Sequence, residues 1–186
     1  MALTFITGNK KKVEEFNASL APFKVEQLDV DLVEIQELNP HIILKHKLQE
    51  AFKHHTGEFL VEDSSMYMEA LGNKLPGPLV KWFNDTIGTQ GLADVAKNMG
   101  NPKASAKTII GYAKSPEDIY FFEGTIEGNI VQPKGEYKFG YDPIFVPESQ
   151  EKTLSELKAE GNFNFSPRGL AVKQLKEYLE KNNYGI

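Results

Sequence analysis

The 186-residue chain sets 21 Lys and Arg against 26 Asp and Glu, a formal net charge of -5, with 40% hydrophobic residues. This suits one good-sized core and argues against broad binding to nucleic acid or an anionic membrane surface. The absence of cysteine excludes disulfides, thiolate catalysis and zinc-thiolate sites and fits a reducing compartment. The opening MALTFITGNK has no basic leader and too short an apolar run for a signal sequence or membrane span, which predicts a cytoplasmic protein.

In chain order, Leu3 to Thr7 reads as a short buried strand. Gly8-Asn9 supplies a turn into a helix over Lys10 to Leu20, where Val13, Phe16 and Leu20 recur at helical spacing. Lys24 to Val30 reads as a second strand. Asn39-Pro40 opens a long amphipathic helix as N-cap and first-turn proline, with a stripe of Ile43, Leu44, Leu48, Ala51 and Phe52. Glu58 to Val61 returns as a strand and runs into Glu62-Asp63-Ser64-Ser65. The turn-rich GNKLPGPLVKWF (72 to 83) leads to a short helix through Leu79, Phe83 and Ile87. Thr108 to Ala113 and Tyr120 to Val131 are β-rich, with Gly124 and Gly128 marking a bend or a close backbone approach. Pro133 to Pro147 is an aromatic-rich loop, and Ser166-Pro167 opens a closing helix through Leu170, Leu175 and Leu179. The pattern predicts one α/β domain over residues 1 to 186: a mixed, partly antiparallel sheet in two lobes around a cleft.

Three groups of residues can carry chemistry. The strand, Gly-containing turn and lysine run at Lys10, Lys11 and Lys12 present backbone N–H groups and ammonium groups to an anion, with a solvated lysine face as the alternative. Glu34 and Glu62-Asp63 are hard oxygen donors, and adjacent acids after an apolar strand sit where open α/β sheets bind ligands. Acids and lysines then form two halves of a triphosphate-magnesium site, with Lys47 able to face the same phosphates. The alternative for Glu62-Asp63 is a cap on the following turn. Trp82-Phe83 and Phe139-Gly140-Tyr141-Asp142 offer aromatic faces for a nucleobase, and Asp142 can accept from a ring N–H or fix its loop; core packing is the competing explanation. His41, His46, His54 and His55 show no metal-ligand spacing and are assigned to helix surface.

Taken together, TGNKKK (7 to 12), VEDSS (61 to 65), ALGNKLPGPLVKWF (70 to 83), FEGTIEGNIV (122 to 131), FGYDPIF (139 to 145) and SPR (166 to 168) resemble the inosine triphosphate pyrophosphatase family in both content and order. The resemblance covers nearly the whole chain. It implies hydrolysis of non-standard purine nucleoside triphosphates such as ITP, dITP and XTP to the monophosphate and pyrophosphate. It also implies an elongated mixed sheet with helices on both sides, two lobes flanking an active-site cleft, and a homodimer. By the same resemblance Thr7, Gly8, Asn9 and Lys12 hold the triphosphate, with Lys47 as a second contact. Glu34 and Asp63 ligate Mg2+ or Mn2+, Asp63 orients or deprotonates the attacking water, and Glu62 supports it. Ser64 touches the substrate; Phe139, Gly140 and Tyr141 line the base pocket; Asp142 anchors the loop or the base edge. Ser166 belongs to the same motif, and Arg168 reaches the 6-oxo group.

One stretch departs from the family. EGNFNFSPRGLA lacks the family's Lys-Asn around Gly161-Asn162 and carries Pro167 where histidine is usual. Two base-reading donors are thereby missing while the phosphate and metal groups remain. The alternatives this keeps open are a pyrophosphatase with shifted or broad base preference, including modified pyrimidine or standard nucleotides, and a nucleotide-binding sensor without turnover.

Overall fold

The computed structural model describes residues 3–136 and 140–184. Seven strands form one mixed sheet: β1 (Leu3–Ile6), β2 (Val25–Leu28), β3 (Phe59–Met68), β4 (Pro76–Gly77), β5 (Lys103–Ala113), β6 (Ile119–Ile130) and β7 (Phe145–Pro147). Their order is β2-β1-β3-β5-β6-β7, with β4 paired to β3 off that path. β1 runs parallel to both β2 and β3, whereas β3–β4 and β6–β7 are antiparallel. The helices are α1 (Lys10–Leu20), α2 (Pro40–His54), α3 (Val80–Asn98), α4 (Leu154–Ala159) and α5 (Pro167–Lys181). The mixed α/β class read from the sequence is the one observed.

The chain divides into two compact units. The first comprises residues 1–63, 109–123 and 169–186, and the second residues 64–108 and 124–168. In the first unit, strand alternation separates two apolar clusters. Leu3, Phe5, Leu60, Ile110 and Tyr112 join Phe16 and Leu20 of α1 and Ala171, Val172, Leu175 and Leu179 of α5. Ile6, Phe59, Val61, Ile109 and Ala113 join Leu44, Leu48 and Ala51 of α2. Successive strand residues point to opposite faces, so α1 and α5 cover one face and α2 the other. Phe5-Ile6 of β1 and Phe59-Leu60-Val61 of β3 are apolar in succession for that reason. Leu170, expected in the stripe of the last helix, is exposed.

The core of the second unit gathers Met66 and Met68 of β3, Leu92, Ala93 and Ala96 of α3, Ala104 and Ala106 of β5, and Ile144, Phe145, Leu154 and Leu157. The expected short helix at 79 to 87 is only the first part of α3, which is broken at Gly88 (φ 69°, ψ 176°) and continues to Asn98. At Gly128 a Cβ atom would fall 2.3 Å from the Val146 carbonyl oxygen and 2.7 Å from the Phe145 ring. The glycine permits the close approach of β7 that its place in a strand predicted.

A polar aromatic knot closes the first unit. Tyr112 donates to Glu58 Oε2 at 2.5 Å, and its ring meets those of Tyr178 and Tyr120 at 6.0 and 6.3 Å between centroids. Burial, and next the bond to Glu58, push the Tyr112 phenol above its ordinary pKa. The folded state therefore keeps a proton that the unfolded chain releases near pH ~10. The associated stability is complete below about pH 10 and is lost as the pH rises further. Thermal unfolding followed from pH 8 to 11 is expected to show an alkaline fall in Tm that Tyr112→Phe makes shallower.

Candidate active site

The turn after β1 is built by its own polar side chains. Asn9 caps α1, its Oδ1 accepting the Lys11 N–H at 3.1 Å, while the Asn9 N–H donates to Thr7 Oγ1 at 3.1 Å. Thr7 is tied to the β2 segment on both sides of its peptide unit: its N–H donates to the Leu28 carbonyl at 3.2 Å and its carbonyl accepts from Gln27 Nε2 at 2.8 Å. Gly8 lies exposed between them. Thr7 and Asn9 thus shape the turn and leave the positive end of α1 facing outward, the arrangement that attracts anions.

Of the three lysines, Lys10 and Lys11 are exposed and Lys12 is half-buried. Lys12 Nζ stands 3.4 Å from Glu62 Oε2, and the Glu62 side chain is 0% exposed. Glu62 and Asp63 do not cap a turn, because β3 continues through them to Met68. By strand alternation Glu62 follows Leu60 onto the face covered by α1, where Lys12 meets it, and Asp63 follows Phe59 and Val61 onto the face covered by α2. The two adjacent acids therefore do separate work. Asp63 is buried as well. On α2, Lys47 Nζ pairs with Glu34 Oε1 at 2.7 Å, the glutamate being largely exposed in the irregular stretch before the helix.

Among the described residues no group of three or more His, Cys, Asp or Glu side chains converges as a metal site. The carboxylates of Glu34 and Asp63 are hard oxygen donors, the type of ligand a small hard cation takes. Mg2+ takes one or two protein carboxylates and completes its shell with water and substrate phosphate.

The second unit holds another set. Arg168, in the first turn of α5 and 4% exposed, donates from Nη2 to Ser64 Oγ at 3.4 Å, and Ser64 Oγ lies 3.1 Å from Thr108 Oγ1. Ser166 precedes α5 as the sequence predicts, its hydroxyl donating to the Phe163 carbonyl at 2.8 Å. Tyr141 is buried and packs edge-on against Phe145 at 6.2 Å between centroids, while Gly140 beside it is exposed. Asp142 is buried and pairs with Lys158 Nζ at 2.8 Å. Phe139 lies outside the described residues. Of the other aromatic pair, Trp82 is 65% exposed and Phe83 packs against the core of this unit.

Sequence reasoning missed two of these residues. Thr108 was read only as the start of a strand, whereas β5 begins at Lys103 and Thr108 is buried within it. Lys158 carries no signal in the sequence, where the Thr-x-x-Glu capping box marks only the start of its short helix. Of the histidines assigned to helix surface, His54 is exposed there, but His41 and His46 need a correction. His41 is half-buried, its Nε2 2.7 Å from Glu123 Oε1 and its ring 5.0 Å from that of Phe121, and the buried His46 Nδ1 makes no hydrogen bond.

The Ham1 family sequence profile matches residues 3–178. The chain belongs to the Ham1 family. A Schizosaccharomyces pombe relative named inosine triphosphate pyrophosphatase is 35% identical over 181 residues, covering 96% of this chain and 95% of its own. The solved Staphylococcus aureus Ham1 protein superposes with a TM-score of 0.80 at 25% identity, over 96% of this chain and 98% of that one. A Mycobacterium abscessus protein described as a nucleoside-triphosphatase and dITP/XTP pyrophosphatase superposes with a TM-score of 0.70 at 25% identity, over 94% of this chain and 98% of its own. The resemblance carried by the six sequence motifs is borne out at the level of the family and its fold.

In this Ham1 chain the Lys12–Glu62 pair is the half-buried contact on which the first unit's polar site turns. Lys12→Met removes the ammonium from a fully buried carboxylate and is expected to cost about 3 kcal/mol in urea unfolding, whereas Lys12→Met with Glu62→Leu should recover most of that loss.

Proposed function

We propose that the protein is a metal-dependent nucleoside triphosphate pyrophosphohydrolase. It cleaves non-standard purine nucleotides (ITP, dITP and XTP) to the monophosphate and pyrophosphate. The observation that carries this reading is a lysine at the start of α1 held 3.4 Å from a buried glutamate, next in sequence to a second buried carboxylate. It occurs in a chain 35% identical along nearly its whole length to a protein named for that activity.

Each residue then has a task. Thr7, Gly8 and Asn9 set the turn whose N–H groups, with Lys12 and Lys47, hold the triphosphate. Glu62 keeps the Lys12 ammonium in place. Glu34 and Asp63 would hold Mg2+ or Mn2+, which when bound neutralises triphosphate charge. Asp63 orients a water molecule and takes its proton at a carboxylate oxygen. The water oxygen bonds to the α-phosphorus as the bond to the bridging oxygen breaks, and pyrophosphate leaves with that electron pair. Ser64 contacts the substrate, and Arg168 donates to the 6-oxo oxygen of the base. Phe139, Gly140, Tyr141, Asp142 and Ser166 line the base pocket. A donor aimed at oxygen goes unpaired with a 6-amino base, which is the physical ground of selection.

A second reading, a pyrophosphohydrolase with broader base preference, is favoured by Asn162 and Pro167, which bring neither the ammonium nor the imidazole of the family motif. The same proposal takes the protein to be a cytoplasmic homodimer. Exposed Trp82 and Ile87 on the first part of α3 offer apolar contact area for a second copy, and sedimentation should give twice the chain mass, falling toward one with Trp82→Glu.

Hydrolysis of inosine, xanthosine, guanosine and adenosine triphosphates, with products separated, is expected to give monophosphate and pyrophosphate led by the inosine or xanthosine substrate. Chelator should abolish turnover, and Asp63→Asn should lower kcat by roughly 10²- to 10⁴-fold with nucleotide binding retained. Diphosphate and phosphate as products, or no turnover of any substrate, would rule the proposal out.

A further inference from the structure

The second unit buries an ion pair of which the chemistry above uses only the aspartate. Lys158 Nζ lies 2.8 Å from Asp142 Oδ2, with the two side chains 3% and 5% exposed. Such a pair is a poor stabiliser, because removing both charges from water offsets most of their attraction and well-packed apolar side chains of similar volume do as well. The surrounding frame fixes its geometry. Asp142 opens a 3-10 turn, Asp142–Ile144, directly after buried Tyr141. Lys134 donates its N–H to the Pro143 carbonyl at 2.8 Å and accepts at its own carbonyl from Thr153 Oγ1 at 3.2 Å. Thr153 is the N-cap of α4 in a reciprocal capping box with Glu156.

The far end of α4 accounts for the missing family lysine. Gly161, at φ 79°, donates to the Lys158 carbonyl at 3.0 Å, and Asn162 donates to the Leu157 carbonyl at 2.9 Å. This is the Schellman ending of a helix, with glycine in the left-handed position. Gly161-Asn162 is therefore devoted to stopping the helix, and the buried cation arises about one turn earlier, at Lys158.

We propose that Lys158 is a specificity-determining positioning residue, orienting the Asp142 carboxylate as the hydrogen-bond acceptor for the N1–H of a 6-oxopurine. The inference rests on the pyrophosphohydrolase reading and deepens it. A carboxylate offers acceptors alone. Hypoxanthine and xanthine present N1–H to it, whereas adenine presents a lone pair at N1, acceptor against acceptor. Guanine shares the N1–H, so this contact separates 6-oxo from 6-amino bases and leaves the 2-position to other groups.

The test compares inosine and adenosine triphosphates, by steady-state kinetics with Mg2+ and by equilibrium binding in chelator, on the unmodified protein, Lys158→Met, and Lys158→Met with Asp142→Asn. The inosine-to-adenosine ratio of kcat/KM should fall at least tenfold in both variants, chiefly through KM for the inosine substrate. The double variant buries no uncompensated carboxylate, so its Tm should recover while the ratio does not, a split that a purely structural pair would not produce. A double variant with the unmodified ratio overturns the proposal. So does an unmodified protein that accepts both nucleotides equally. An unmodified protein that neither binds nor hydrolyses either nucleotide overturns the pyrophosphohydrolase reading first, and this inference with it.

Discussion

A carboxylate placed in the middle of a covered sheet has to be answered by a cation, and the answer to Glu62 governs the first unit. The Glu62 side chain is 0% exposed, and a carboxylate withdrawn from bulk water is stabilised by compensating charge from the protein. It comes from Lys12, and for Lys12 to arrive α1 must start at the right place. The Thr7–Asn9 turn sets that start, and the Thr7 bonds to Leu28 and Gln27 hold the turn to its neighbouring strand. A local choice of Thr, Gly and Asn is in this way coupled to one buried charge on another strand. The anion-attracting end of α1 follows from the same constraint.

The second unit handles its polar groups differently. Its core side chains are small or flexible where β3, α3 and β5 meet, with alanines at 93, 96, 104 and 106 and methionines at 66 and 68. Against that apolar mass stand a guanidinium, two hydroxyls and one ion pair, each with at least one defined partner. Groups paired in this way are held in few orientations, and recognition of a base edge depends on fixed orientation.

Much of this was legible in the chain. The strand-turn-helix opening, the Asn39-Pro40 and Ser166-Pro167 helix starts and the mixed sheet follow from period and capping chemistry, which are local. The close strand approach at Gly128 was likewise visible in advance. What escaped reading was non-local. The strand at Glu58 was ended at Val61 because charged residues lower strand propensity, yet β3 runs on to Met68 with Glu62 answered by a lysine from far away in sequence. The second half of α3 was missed because alanines and glycines around the Gly88 break blur its stripe. Lys158 draws no notice in the sequence, since burial of a lysine depends on a partner that only tertiary structure reveals.

The division of the chain has a consequence for how it folds. The first unit is assembled from three separate stretches, the last beginning at Gly169, and its larger apolar cluster takes Ala171, Val172, Leu175 and Leu179 from the final helix. The second unit is drawn from residues 64–108 and 124–168 alone. The face that β1 and α1 share is therefore completed only by contacts that span most of the sequence, a loop-closure cost that the shorter-range contacts of the second unit do not carry.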